Sequence, residues 1–271
     1  MAAEKTLVYL ILGAAGSGRR EVLADLIATG LTAEDRPVTW LAEGEAATAH
    51  DAQLGALCRW RWTPERQIEP TADPLPAGPG PVFFITDGRS NPVDQVEAFH
   101  AWLAAMGGEL ARVLCVVHCQ LAEKHPALLA WYDACIHFSD IVLLQQRTGV
   151  GNKWVGDFQK RYQSQFYPCL FELVKHGAVK NPAMILEPQA RRIAQLFDEP
   201  DEVVAPAPRF EIDPGTVFVD ETGEDADLAD LVEKADEPVE PAIPDPYLAR
   251  KPGGGRVKEI PDIRQYLAGA S

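Results

Sequence analysis

The stretch that decides the fold runs from Leu7 to Glu21 and reads LVYLILGAAGSGRRE. It opens with a continuous apolar run, Leu7 to Leu12, which is typical of a buried strand. A glycine-rich turn, Gly13 to Gly18, comes next. Apolar residues at helical spacing then follow, namely Val22, Leu23, Leu26 and Ile27. The pattern predicts a strand, a loop and a helix in immediate succession.

Gly13 and Gly18 stand at the GxxxxG spacing of a phosphate-binding P-loop. Glycine lets the backbone curl so that successive N–H groups face an anion, and the following helix adds the partial positive charge of its N-terminus. The predicted phosphate-binding residues are Gly13, Gly16, Ser17, Gly18, Arg19 and Arg20. The alternative interpretation is a glycine-rich strand–helix turn that binds nothing.

Arg19 and Arg20 depart from the Lys and Ser/Thr that complete this motif. A lysine reaches the β- and γ-phosphates as a compact charge, whereas the guanidinium of Arg19 is longer and forked. The missing hydroxyl matters more, because that oxygen holds Mg²⁺. Arg20 has no acceptor atom and is cationic, so we expect it to repel the metal. The sequence therefore predicts the shape of a phosphate site without its magnesium chemistry.

Composition limits the class of protein. The chain has 271 residues, of which 46% are hydrophobic, as in an ordinary globular protein. No apolar run reaches the ~20 residues that span a membrane, and Leu7 to Leu12 precedes a P-loop spacing, so we expect a cytoplasmic protein without a signal peptide. The five cysteines form no CxxC pair, and we expect neither disulfides nor a zinc site.

The net charge of −15 is concentrated in one segment, Asp198 to Asp245, which holds 17 acidic and 2 basic residues. The rest of the chain is neutral, so a basic face for nucleic acid is not predicted. The acidic segment has few large apolar residues, and we expect a disordered linker over 198–245.

Strand and helix signals alternate through residues 1–197, which we predict to be one domain. Short apolar strands separated by helices predict an α/β fold, with a mostly parallel sheet, helices on both faces and the P-loop NTPase type of organisation. Strands are predicted at 7–12, 37–42, 82–86, 113–117, 140–144 and 183–186. Further helices are predicted at 43–56, 92–106, 126–138, 153–166, 168–176 and 189–197.

Three loops that follow predicted strands carry unexpected polar residues: 13–20, 87–91 and 145–148. The carboxyl ends of parallel strands share one edge of the sheet, where doubly wound folds bind ligands. We therefore expect the three loops to form one site.

Residues 6–187 resemble the CobW/HypB/UreG family of P-loop GTPases and metallochaperones in the order and spacing of these loops. FFITDGRSNPVDQVEAF, Phe83 to Phe99, is similar to that family's strand with Glu-x-x-Gly, followed by Asp-Pro and a helix. Val113 to Val150 is similar to the next two strands, the second of which ends in the guanine motif Asn-Lys-x-Asp. The resemblance implies a GTPase-like fold and GTP or ATP as the ligand.

The departures from the family fall on its chemistry. Ile85 stands at the glutamate, although Gly88 is retained. Gln145 to Thr148 replace the guanine motif, and Thr148 brings no charge to accept hydrogen bonds from the base. The resemblance implies that Gly88, Gln145 and Thr148 lie at the nucleotide site with poor base selection. Near the family's CxCC metal motif only Cys58 is present, and one thiol does not make a tetrahedral zinc site.

Asp87 is the single catalytic candidate. It lies two residues after Ile85, so both side chains point the same way, and it could take part of the lost carboxylate's role beside Mg²⁺ or water. The alternative is an aspartate that opens a turn with Gly88. His118 and Cys119 could bind a metal, but a histidine without a complete ligand set is usually structural, and we expect no metal site there.

Two further segments have open interpretations. In LCRWRW, Trp60 and Trp62 alternate with arginines, which fits either a strand that buries both tryptophans or a surface that docks a partner. Residues 246–271 form a predicted short docking segment, with a frayed terminus as the alternative. Its apolar residues include Tyr247, Ile260, Ile263 and Tyr266.

We therefore expect a degenerate P-loop GTPase-like protein that holds a nucleotide or phosphate weakly, without significant hydrolysis, and acts through a protein partner. One alternative is an active GTPase or other NTPase metallochaperone with a rearranged site. The other is a ligand-free scaffold. The effect of Mg²⁺ on nucleotide affinity separates them, because only the enzyme requires the metal.

Overall fold

The computed structural model describes residues 5–71, 80–198 and 245–267. Within these ranges the chain forms eight strands and six α-helices. The strands are β1 (Leu7–Gly13), β2 (Val38–Ala42), β3 (Ala56–Trp62), β4 (Ile68–Pro70), β5 (Val82–Ile85), β6 (Glu109–His118), β7 (Ile141–Gln145) and β8 (Leu170–Leu173). The helices are α1 (Arg19–Gly30), α2 (Pro92–Met106), α3 (Cys119–Lys124), α4 (Leu129–His137), α5 (Asn152–Gln163) and α6 (Pro182–Leu186).

All eight strands join one sheet in the order β4-β3-β2-β5-β1-β6-β7-β8. Every neighbouring pair is parallel except β3 and β4, which are antiparallel. The chain leaves β1 toward β2 on one side and later crosses to β6 on the other. The strand order therefore reverses at β1, which puts the loop after β1 at the point where doubly wound sheets bind ligands.

The sheet is covered by helices on both faces, because alternate residues of each buried strand enter opposite cores. Leu10 of β1 belongs to the core under α2, α3, α4 and α5, whereas Ile11 belongs to the core under α1 and α6. The predicted α/β class, with a mostly parallel sheet and helices on both faces, is confirmed.

The helix predicted over 43–56 is wrong. This segment consists of turns and a short 3₁₀ helix at 51–53, and it ends where β3 begins. Gly44 and Gly55 both have left-handed φ angles, +83° and +74°, which interrupt a right-handed helix. The acidic side chains of Glu45 and Asp51 also bind distant arginines of α1, a contact that local periodicity does not reveal.

The three secondary-structure elements predicted after residue 167 are also wrong. The helix predicted over 168–176 is instead strand β8, paired in parallel with β7. The strand predicted over 183–186 is helix α6, which begins at Pro182 and is capped by the side chain of Asn181. The helix predicted over 189–197 is irregular chain, because Arg191 and Ala194 donate their amides to Asp140 and His137.

We call residues 245–267 the C-terminal strap. From Pro246 onward the strap belongs to the same compact unit as the sheet domain. Tyr247 and Ile263 are each 1% exposed and join the core beneath α2 and α4. The linker expected to be disordered, 198–245, lies outside the described residues except for its two ends. Among the described residues, the helices are all too short or too polar to cross a membrane.

Candidate functional site

The phosphate-type loop connects β1 to α1 and is fixed to the sheet at two points. A side chain at Gly13 would collide with the carbonyl oxygen of Val116 on β6, so only glycine fits there. The amide of Ala15 donates a 2.9 Å hydrogen bond to the carbonyl of Gly88, in the loop after β5. Gly88 has φ +65°, and a Cβ atom there would lie 2.5 Å from the Ala15 nitrogen. Gly88 is therefore a support for the loop.

The loop presents unused amide donors. Ser17 donates its N–H to the carbonyl of Ala14 at 3.1 Å, and its buried hydroxyl has no partner in the described structure. The N–H groups of four residues have no hydrogen-bond acceptor among the described residues: Gly16, Gly18, Arg19 and Arg20. Gly18 caps α1 in a left-handed conformation and offers no capping side chain. Free amides at a helix N-terminus are the usual elements of an anion site.

The side chain of Arg19 turns inward. It is 5% exposed, and its Nη1 atom donates to the carbonyl of Thr86 at the end of β5. Its Nη2 atom lies 3.3 Å from Oε1 of Glu45 and 3.3 Å from the carbonyl of Asp87. Burial lowers the pKa of Arg19, and Glu45 and then Asp87 act in the opposite direction. This cation already has acceptors inside the protein.

The side chain of Arg20 is also occupied. Its Nη1 atom donates to the carbonyl of Ala46 at 2.8 Å and to both carboxylate oxygens of Asp51, at 3.0 and 3.1 Å. Its Nη2 atom pairs with Oε2 of Glu45. Burial opposes the charge, yet the hydrogen bonds from Arg20 to Glu45 and Asp51 raise the pKa of Arg20 overall. Burial acts to raise the pKa of Asp51, but hydrogen bonds from Thr48 and Arg20 lower it overall.

Glu45 and Asp51 are the site residues that the sequence prediction missed. Both lie in the turn region after β2, and their side chains are 11% and 13% exposed. Two adjacent arginines at the start of a buried helix need counter-ions, because a buried charge is unstable without a partner. The sequence signal for this pairing was therefore the need for counter-ions, together with the two acidic residues that follow β2.

Asp87 starts a turn. Its Oδ1 atom accepts from the amides of Arg89 and Ser90, at 2.8 and 2.9 Å, and its Oδ2 atom accepts from the Ser90 hydroxyl at 2.6 Å. Ile85, at the position of the missing carboxylate, is completely buried in β5. The carboxylate of Asp87 therefore organises its own loop in this conformation.

Gln145 reaches the loop and Thr148 does not. Gln145 ends β7, is 5% exposed, and donates from Nε2 to the Glu21 carboxylate at 2.9 Å. A Cβ atom on Gly18 would lie 3.2 Å from the Gln145 side chain. Thr148 is in the exposed turn beyond, where its carbonyl accepts from Gln120. The structure thus brings the predicted site residues to one edge of the sheet, with Thr148 in an exposed turn that lines a cavity together with Gln145 and Glu21.

Two cavities lie beside the loop, one on each side of Glu21. The first, of about 390 Å³, is lined by Gly16, Gly18, Arg19, Arg20, Glu45 and His50, with six further residues. The second, of about 380 Å³, is lined by Gln145, Gln146, Arg147, Thr148, Lys175 and His176, with three more. The first is lined by Gly16 and Gly18, whose amides have no acceptor among the described residues.

His118 and Trp60 have structural roles. The Nδ1 atom of His118 accepts the amide of Leu121 and caps α3, and burial lowers the pKa of His118. Trp60 is fully buried and donates from Nε1 to the carbonyl of Ile85 at 3.1 Å, whereas Trp62 is half-buried. Among the residues that the structure describes, His, Cys, Asp and Glu form no group of three that would hold a metal ion.

Comparison with known proteins finds no matching family model and no matching curated protein. Among solved structures, the chain is similar to a zinc-bound triple mutant of the YjiA GTPase, with 12% identity and a TM-score of 0.42. It is also similar to the zinc-bound YjiA GTPase from E. coli, with 12% identity and a TM-score of 0.40. Each match covers 69% of this chain and 67% of that chain.

Proposed function

We propose that this chain is a degenerate P-loop GTPase-like protein that binds a phosphate group of a nucleotide weakly, hydrolyses it negligibly, and acts through a protein partner. The observation that carries the proposal is a contrast at the loop between its backbone amides and its two arginine side chains. The amides of Gly16, Gly18, Arg19 and Arg20 have no acceptor in the described part of the chain. Both arginine side chains pair with Glu45, and Arg20 also pairs with Asp51.

Weak binding follows from the amides. Backbone N–H groups at the start of α1 supply partial positive charge and need no metal. The guanidinium groups add little net affinity, because a ligand that uses them must compete with the carboxylate already paired with each. Phosphate affinity is therefore expected to be low, to persist without Mg²⁺, and to fall as ionic strength rises.

Negligible hydrolysis follows from the missing groups. In P-loop enzymes, positioned charges and Mg²⁺ stabilise the phosphoryl group as it is transferred. Here Arg20 stands at the position of the metal-binding hydroxyl, and the buried side chain of Ile85 stands at the carboxylate. Loss of one preorganised electrostatic group typically costs ~10²–10³-fold in rate, so two losses leave little catalysis.

The binding experiment is titration calorimetry with inorganic pyrophosphate, GTP and ATP, each with and without Mg²⁺. Gly18→Val is expected to abolish binding, because Gly18 has φ +86° and a Cβ atom would crowd Gln145 and Glu21 at 3.2 Å. Gly107→Val is the matched control, since Gly107 has φ +66°, open surroundings and a position at the end of α2. Absence of binding by the unaltered chain would exclude the phosphate site.

The catalytic experiment is steady-state phosphate release from GTP and ATP. We expect no release above background, and the double change Arg19→Lys, Arg20→Thr tests whether the motif residues alone restore it. Mg²⁺-dependent hydrolysis by the unaltered chain that Gly18→Val abolishes would establish the enzyme instead.

The partner part of the proposal is supported by an exposed aromatic residue. Phe166, between α5 and β8, is 90% exposed and has φ +58°, an unusual conformation for a bulky side chain. Leu173, at the end of β8, is 45% exposed. A photo-crosslinking residue at position 166 is expected to trap a protein, while the same residue in place of Lys153, which is 90% exposed on α5, is not. Equal labelling from both positions would contradict a partner-binding site at Phe166.

A further inference from the structure

Glu45 bridges the two arginines of the loop. Its Oε1 atom lies 3.3 Å from Nη2 of Arg19, and its Oε2 atom pairs with Nη2 of Arg20. One carboxylate therefore holds two guanidinium groups at the wall of the 390 Å³ cavity. A terminal phosphate in that cavity would seek the same donors, because guanidinium groups bind phosphate and carboxylate oxygens in the same geometry.

We propose that Glu45 is the specificity-determining residue of the phosphate site: a resident carboxylate that a ligand must displace. This inference rests on the proposed function. It names the ligand class as a terminal phosphoryl group with two negative charges and no bound metal.

The charges at the site explain why it would select a dianionic phosphoryl group over a carboxylate. Arg19, Arg20, Glu45 and Asp51 together are neutral, so an anion added beside them meets the carboxylate of Glu45 as a like charge at short range. A ligand carboxylate that replaces Glu45 exchanges one negative charge for another and gains little. A dianionic phosphoryl group brings one more charge to the same two arginines. A Mg²⁺ complex of the ligand loses that advantage, because the metal neutralises the charge.

The turn that carries Glu45 has open space around it. Gly44 has φ +83°, a Cβ atom there would have no neighbour within 4 Å, and Ala46 is exposed. Asp51 remains tied to Thr48 by a 2.7 Å hydrogen bond, so it can keep Arg20 while Glu45 leaves. The displacement therefore needs a rotation of the Glu45 side chain, while Asp51 and the Ala46 carbonyl keep Arg20.

The test compares Glu45→Gln with the unaltered chain, using inorganic pyrophosphate without metal as the probe. We expect the dissociation constant to fall by about tenfold or more, which corresponds to about 1.4 kcal/mol. Glu43→Gln is the matched control, because Glu43 is exposed in the same turn. Glu45→Ser is the second variant, and thermal unfolding of each variant confirms that it is folded.

A measurement without ligand accompanies the titration. Phenylglyoxal modifies accessible arginines, and mass spectrometry locates the modified sites. We expect Arg19 and Arg20 to be protected in the unaltered chain and to react in Glu45→Gln, with Arg264, whose side chain is 66% exposed, as the internal reference. Increased reactivity together with tighter pyrophosphate binding supports the inference.

The contrary outcomes are distinct. If the unaltered chain binds pyrophosphate and neither Glu45 variant binds it more tightly, the role of Glu45 is overturned while the phosphate site stands. If no form of the chain binds pyrophosphate, the proposed function fails, and the inference fails with it. Tighter binding in the presence of Mg²⁺ than in its absence would overturn the metal-free ligand class.

Discussion

Arg256 of the C-terminal strap donates a 2.9 Å hydrogen bond from Nε to the Oδ1 atom of Asp94, in the first turn of α2. The side chains of Arg256 and Asp94 are only 7% and 10% exposed. Arg256 also donates to the carbonyl of Tyr247 at 3.0 Å, so the guanidinium joins two parts of the strap to the helix. A poorly hydrated ion pair of this kind is far more sensitive to loss of one partner than a surface pair.

Arg256→Ala is expected to weaken strap docking strongly. Removing one partner of a buried pair typically costs about 3–5 kcal/mol, because the other charge is left uncompensated. Arg66, which lies 3.0 Å from Asp94, should reduce that cost. The measurement is the rate at which trypsin cleaves after Lys258 of the strap in the folded protein, with Arg264→Ala, an exposed strap arginine, as control. Equal cleavage rates in the two variants would contradict the role of the pair.

Tyr247→Ala should release the strap without unfolding the sheet domain. The Tyr247 ring lies 4.6 Å from the His137 ring, and the Lys258 ammonium lies 3.9 Å from its centroid. Truncation of a buried aromatic residue costs about 3–5 kcal/mol, and a short peripheral segment opens before the core does. Hydrogen exchange is expected to quicken in 245–267 and to stay slow in β1. Loss of protection in β1 as well would show that the strap and domain unfold together.

Gly88→Ala should be more destabilising than Gly149→Ala. Both glycines have left-handed φ angles, +65° and +81°, so both substitutions carry a similar backbone penalty of about 1–2 kcal/mol. Only at Gly88 would the new Cβ atom collide, at 2.5 Å from the Ala15 nitrogen and 2.6 Å from the Gly13 oxygen, whereas Gly149 has open space. Urea midpoints of the two variants measure the difference. Matching midpoints would show that the loop after β5 does not support the phosphate-type loop.

Stability should decrease below pH 6.5 through His118. Its Nδ1 atom must be unprotonated to accept the Leu121 amide at 3.2 Å, and burial lowers the pKa of His118 from 6.5. Below that value the unfolded chain binds more protons than the folded chain, so the free energy of unfolding falls as pH falls, until the lowered folded pKa is passed.

His118→Asn tests the origin of this pH dependence, because asparagine keeps a capping acceptor and does not titrate. The slope of unfolding free energy between pH 7 and the acid limit is expected to flatten in this variant. His176→Asn is the control, since His176 is exposed at φ +52°, a conformation that asparagine tolerates. An unchanged slope in His118→Asn would assign the pH dependence to other groups.

The parts of the fold that follow from local sequence were predicted well. Leu7 to Leu12 and Pro92 to Met106 carry their own apolar patterns, and both elements appear at nearly those bounds. Glu43 to Ala56 also has a helical composition, yet its structure depends on arginines that lie more than twenty residues earlier. Because such ion pairs join distant parts of the chain, periodicity within a short window does not detect them.

In the candidate site, too, features set by local sequence were predicted and features set by distant contacts were not. The glycines of the loop and Gly88 were found from motif spacing, and the structure joins them by the Ala15 hydrogen bond. The direction in which Arg19 and Arg20 point was not predictable, since it depends on which acidic side chains the folded sheet brings within reach. Sequence reasoning assigned the cations to a ligand, whereas the fold supplies them with Glu45 and Asp51.

The position of the strap in the chain has a consequence for synthesis on the ribosome. At about 5–20 residues per second, the roughly fifty residues that separate Phe197 from the strap take several seconds to translate. During that interval every strand of the sheet has been made, but the apolar surface that Tyr247 and Ile263 will cover is still open. A chaperone that recognises exposed apolar surface would therefore meet this chain in a brief, late window that closes once Tyr247 and then Ile263 have been made.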